Sequence, residues 1–265
     1  MAEQQVDDGA ATLREFRKVL KDYTVPGLYR REYIRVTLLT KWLESKATPR
    51  DRQVDILLEY AYRQSHAPRL PISADDICRD GEKCILVFSI LLEIDCGKLI
   101  DCFESHDLVD KNLPIPLLRL GEVLGDQKSS RGVLVAEEFN RKQWAFCPAK
   151  FDFDRSRQYH QDMVIPICRR EKINDKGGTA RLWQIEVQEE FVRPRLRAKI
   201  LHSRYESPVF GPVSTDTPAA TLSSTSIFSL LTDSHQCYHF ALKTIREGNA
   251  QLFKNEREAF QTLKV

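Results

Sequence analysis

The stretch HFALKTIREGNAQLFKNEREAF, residues 239–260, places a lysine inside an apolar strand pattern and follows it with a helix pattern rich in acids. A lysine in such a strand must bring its ammonium to something polar, because burying an unpaired charge is costly. Taken alone, Lys243 reads as a residue on a solvent-facing side of the strand. The helix pattern adds a second possibility. Phe253 can anchor that helix in the core, and Glu256, one turn later, is then within reach of Lys243. A carboxylate that holds an ammonium in this way orients it to grip phosphate oxygens.

A second chemistry-bearing stretch lies upstream. INDKGGTARLWQIEV, residues 173–187, sets Gly177 and Gly178 between two strand-like segments. Without a Cβ in the way, backbone amides in such a turn can approach phosphate oxygens. Two adjacent glycines alone are read as an ordinary hairpin turn. The order of the pieces is more specific: Gly-rich turn, strand, lysine strand, acidic helix.

That order, carried by these residues, resembles the N-terminal lobe of a eukaryotic protein kinase domain. HFALK is similar to the family's V-A-I-K strand, with Ala241 at the adenine roof and Lys243 as the phosphate lysine. FKNEREAF is similar to helix αC, with Glu256 as the pairing acid. DKGGTARL follows the G-x-G-x-x-G-x-V loop in part. Gly177 takes the place of the second glycine and Leu182 that of the closing valine, while Asp175 and Ala180 stand where the first and third glycines would be. Further upstream, LPIPL, FNRKQWAFCPAKF and VIPI are similar to segments of a group of fungal kinase-like proteins, in which a helical region precedes a divergent kinase domain.

The resemblance implies an α+β chain: a helical N-terminal region, then a kinase-like N-lobe of antiparallel sheet plus helix αC. It implies ATP as cofactor, held by Lys243, Glu256, Gly177, Gly178, Leu182 and Ala241, and weakly so given the two missing glycines. The full-length relative would transfer phosphate from ATP to protein, of the Ser/Thr type if any. No H-R-D with a downstream Asn and no D-F-G occurs in the sequence. YHQD at 159–162 precedes the Gly-rich turn and is in the wrong order. The C-lobe is therefore expected to be absent, no residue is nominated as catalytic or metal-binding, and magnesium is not expected. The chain is expected to be inactive, as a fragment, a truncated product or a remnant.

The elements that must position these groups change character along the chain. Leu13, Phe16, Val19, Leu20 and Tyr23 form a helical stripe, as do Ile34, Leu38, Trp42 and Leu43. TPRDRQVDILLEYAY predicts a helix capped by Thr48, and Ser73 predicts another at SADDI. CILVFSILL, from Cys84 to Leu92, is too short to cross a bilayer, which needs about 20 residues, and is expected as a buried helix. GKLIDCFESH continues as a short helix, LPIPL breaks the pattern, and a helix is expected up to Pro148. Beyond it, DMVIPI, ARLWQIEV and YHFALKTI are expected as strands, with a closing helix at 249–263. The resulting divisions are a disordered tail at 1–10, a helical region at 11–150 and the partial kinase-like domain at 160–265. A flexible Ser/Thr/Pro-rich insert is expected at about 190–235.

A net charge of +2 favours neither nucleic acid nor membrane, and neither is expected as a partner. RPRLRAK at 193–199 is basic, but no aromatic residues interleave, and it is read as part of a solvated loop. The N-terminus has no apolar stretch of signal-peptide type. Seven cysteines, none spaced C-x-x-C, read as buried reduced thiols of a cytoplasmic or nuclear protein, without a zinc site. The six histidines are scattered, and none is nominated as a ligand. Two other functions stay open: a non-catalytic interaction protein working through its helical region, with the sheet a degenerate appendage, and a nucleic-acid binder, which the charge makes weakest.

Overall fold

A computed structural model describes residues 2–63, 70–125, 130–152, 159–174, 180–205, 237–245 and 254. The fold is α+β. The chain divides into two units, Met1–Ala149 with Tyr159–Pro166, and Lys150–Gln158 with Ile167–Val265. Tyr159–Pro166 thus joins the helical unit rather than opening the sheet region.

The helical unit begins with α1, Ala2–Asp22. Residues 2–10, expected as part of a disordered tail, are therefore helical, and the stripe of Leu13, Phe16, Val19 and Leu20 is buried as its spacing requires. The helix expected from the stripe of Ile34, Leu38, Trp42 and Leu43 starts late. Glu32–Ile34 forms β2, which pairs antiparallel with β1, Thr24–Pro26, and only Val36–Glu44 is helical, as α2. Gly27 turns the hairpin in a space where a Cβ would lie 2.9 Å from the Ile165 carbonyl oxygen.

The helix α3 spans Gln53–Tyr62, later than expected. Thr48 does not cap it: its hydroxyl accepts from Asp51 N at 2.9 Å and closes a turn ahead of the helix. Asp55 reaches back to Arg52 N at 2.8 Å instead. The helix α4, Ala74–Ile77, starts as its sequence indicates, with Ser73 Oγ accepting from Asp76 N at 3.2 Å.

The apolar run becomes α5, Ile85–Glu93, with Ile85, Val87, Phe88, Ser89, Ile90, Leu91 and Leu92 all buried. A helix apolar on every side belongs at the centre of its unit. Around it lie α6, Ile100–Ser105, α7, Leu117–Gly125, and α8, Ser130–Phe146, whose Phe139 and Phe146 reach the same core. VIPI does not form the expected strand. Pro166 has no N–H to give a ladder, and the segment is held by single bonds, Ala149 N to Val164 O at 2.8 Å and Leu28 N to Ile165 O at 3.2 Å.

The second unit is built on an antiparallel sheet in the order β3-β4-β5, with β3 at Arg169–Asn174, β4 at Ala180–Gln188 and β5 at Cys237–Ile245. Period-two alternation buries Ile185, Val187 and Tyr238 on one face. RPRLRAK is not a loop. Pro194–Tyr205 is helix α9, with Pro194 in the first position, where no N–H is needed. Leu196 of that helix is buried, as are Phe191 and Val192 before it. The remainder of the insert, 206–236, and the helix expected at 249–263 lie outside the described residues, Lys254 excepted.

Candidate functional site

The placement of Lys243 follows from what holds β5. Tyr238 is buried, and Phe240 stacks on Phe151 with ring centroids 5.5 Å apart and planes 22° apart. Phe151 is itself fixed by the backbone, donating to Phe191 O at 2.7 Å and accepting from Arg193 N at 2.9 Å. With Phe240 committed to that face, alternation sends His239, Ala241 and Lys243 to the other.

The register then chooses their neighbours. Lys243 is opposite Leu182, Ala241 opposite Gln184 and His239 opposite Glu186. Opposed residues share a face, with Cβ atoms about 4.5–5.5 Å apart. Leu182 is also paired with Asn174, the last residue of β3. Lys243 and Leu182 therefore lie at the end of the sheet from which the 175–179 segment departs, the segment that contains Gly177 and Gly178. Lys243 and Ala241 are exposed and Leu182 is half-buried. Of the six nominated residues, Leu182, Ala241 and Lys243 come together on one face. Glu256, Gly177 and Gly178 lie outside the described residues.

On the opposite face, the Arg170 guanidinium lies 3.4 Å from the centre of the Trp183 ring. The Trp183 indole N–H donates to Thr244 Oγ1 at 3.1 Å. These contacts link all three strands behind Lys243.

The far end of the same sheet holds a group that sequence reading missed. Cys168 Sγ donates to the Glu186 carbonyl at 3.2 Å. The Glu186 carboxylate lies 3.5 Å from Arg169 Nη1 and 3.8 Å from His239 Nδ1. Burial, and then the neighbouring Cys237, push the Cys168 thiol up to about 12. Burial likewise pushes Cys84 and Cys147 up to about 12, so none of the three is a thiolate nucleophile at neutral pH. All seven cysteines are free thiols; Cys84 is buried, and the other six are half-buried rather than buried as expected.

The helical unit carries a cleft of about 530 Å³, lined among others by Arg31, Ile34, Glu93, Lys142, Trp144 and Val164. Lys142 pairs with Glu93 there, and Trp144 stacks on His160 at 4.6 Å and 6°. RKQWAF thus contributes an ion-paired lysine and an aromatic wall. Among the described residues no helix is long and apolar enough to cross a membrane. No protein-family model, no curated protein and no solved structure matches the chain.

Proposed function

We propose that β3, β4 and β5 form a kinase-like, ATP-binding half-domain that does not transfer phosphate by itself. The observation that supports this reading is the register: Lys243, Ala241 and Leu182 share one exposed face, at the end of the sheet where the Gly177–Gly178 segment leaves β3. On this reading Lys243 meets the phosphates, with Glu256 as its partner, and Ala241 and Leu182 line the base. With Asp175 and Ala180 in place of two loop glycines, the grip is loose, and a Kd of about 1 mM, or about 4 kcal/mol, is the expected scale.

The test is an amide-resolved NMR titration of residues 1–265 with ATP to several times that concentration. Shifts should cluster at Leu182, Ala241 and Lys243 and vanish in Lys243→Ala. Shifts that fall elsewhere, or that survive the substitution, would sink the reading.

A second reading, a non-catalytic interaction protein working through its helices, is favoured by a different observation. Leu118 of α7 and Val133 and Leu134 of α8 are large apolar side chains left exposed on two helices that pack together. Exposed apolar side chains mark an interaction surface where they form a contiguous patch. A sheet silent to millimolar ATP would leave this reading standing.

A further inference from the structure

Cys168 leads into β3, Glu186 lies near the end of β4, and Cys237 opens β5. In an antiparallel sheet ordered β3-β4-β5, the starts of the outer strands flank the end of the middle one. That is why residues remote in sequence meet. The two Sγ atoms and a Glu186 carboxylate oxygen all lie within 4.8 Å of one another, and all three residues are half-buried. His239, two residues beyond Cys237 and directly opposite Glu186, holds its Nδ1 3.8 Å from Glu186 Oε1.

We infer that Cys168, Cys237 and Glu186 bind a divalent cation of the zinc class, with His239 in reach of the fourth position. Two sulfurs, a carboxylate and an imidazole form a donor set that selects a borderline-soft cation over magnesium or calcium, which take oxygen ligands. In a tetrahedral site with Zn–S bonds of about 2.3 Å, neighbouring sulfurs stand about 3.8 Å apart. The two sulfurs therefore need to close by about 1 Å at most, and each sulfur and the carboxylate oxygen by about 1.3 Å at most, movements that side-chain rotation can supply.

Charge is also provided for. Two thiolates and one carboxylate carry three negative charges, and a divalent cation together with the Arg169 guanidinium, 3.5 Å from Glu186, cancels them. On binding, each thiol gives its proton to solvent and no electron is transferred. Cys168 gives up its bond to the Glu186 carbonyl, and His239 turns from its 3.4 Å contact with Gln184 Nε2. A bound cation would tie β3 to β5 across β4. It would do so six residues along β5 from Lys243, about 20 Å at strand rise, and so independently of nucleotide.

The experiment is titration of reduced residues 1–265 with Co(II), followed by displacement with Zn(II). One equivalent should bind, with thiolate charge-transfer absorption and the visible bands of a tetrahedral site. Cys168→Ser and Cys237→Ser should each lower affinity by more than the roughly 10–100-fold that loss of an outer-shell partner costs. Cys78→Ser should change nothing. In case either serine variant fails to fold, alkylation of the unmodified protein is followed by mass spectrometry with and without Zn(II). Zn(II) should protect Cys168 and Cys237 and leave the other five cysteines as reactive as before. Absence of one-to-one binding, an octahedral spectrum without sulfur ligation, or protection of other cysteines in place of these two would each overturn the inference.

Discussion

Gln143 is fully buried, and its side-chain amide replaces a piece of secondary structure. Its Oε1 accepts from Ile115 N at 2.7 Å, and its Nε2 donates to Ile115 O at 3.0 Å and to Asn140 Oδ1 at 2.9 Å. Ile115 stands between Pro114 and Pro116, neither of which has an N–H, so no ladder can run through LPIPL. Gln143→Leu keeps the volume and leaves both polar groups of Ile115 buried and unpaired. At about 1–3 kcal/mol per buried unsatisfied group, the two groups together should cost about 2–6 kcal/mol in urea unfolding. A loss below about 0.5 kcal/mol would mean that water reaches Ile115 and that the clamp contributes little. At this scale the sequence is half legible. Two prolines announce a break, but nothing local says that a glutamine 28 residues on completes it.

The helix α5 begins without a side-chain cap of its own, since its first flanking residue is Cys84. The cap comes from Asp110, whose Oδ1 accepts from Leu86 N at 2.9 Å and Val87 N at 3.0 Å. Burial pushes the Asp110 carboxyl up to about 6, against these two N–H bonds and the pull of Lys83. Its pKa is higher folded than unfolded, so between about pH 4 and pH 6 the folded chain binds more protons. The stability this group contributes is complete below about pH 4 and is lost as pH rises through 6. Asp110→Asn keeps the acceptor and removes the titration. Urea unfolding from pH 4 to 7 should show the variant gaining about 1–3 kcal/mol on the wild type across that range. Wild-type protein gaining on the variant as pH rises would contradict this account. Elements were legible where the apolar pattern is strong, as in α1 from residue 11 onward, the uniformly apolar α5, and the alternating β4 and β5. They were not legible where the deciding term is tertiary. Glu32–Ile34 pairs with Thr24–Pro26 despite lying in a helical stripe, and Pro194–Tyr205 is helical although its composition reads as a solvated loop. Leu196 and the neighbouring Phe191 and Val192 are the buried groups that hold that segment.

At the scale of the molecule, the shared face of Lys243 and Ala241 was legible because it needs only alternation within one strand, whereas their meeting with Leu182 rests on register. The Cys168–Glu186–Cys237 cluster was not legible, because it depends on register, and spacing rules for metal ligands look along one stretch of chain. The same contrast governs activity. Phosphoryl transfer rests on positioning the donor, on metal ions that neutralise developing charge and on a base for the acceptor hydroxyl. On the proposed half-domain reading, residues 1–265 supply candidates for the first alone: Lys243, its nominated acid Glu256 and the segment with Gly177 and Gly178. They contain no H-R-D and no D-F-G to provide the base or the magnesium carboxylates. Incubated with radiolabelled ATP, magnesium and a general protein acceptor, residues 1–265 should incorporate no label, and Lys243→Ala should be indistinguishable from the unmodified chain. Lysine-dependent incorporation would place a working base and metal carboxylates within these residues, outside the order in which a kinase domain carries them, and the half-domain reading would fall with it.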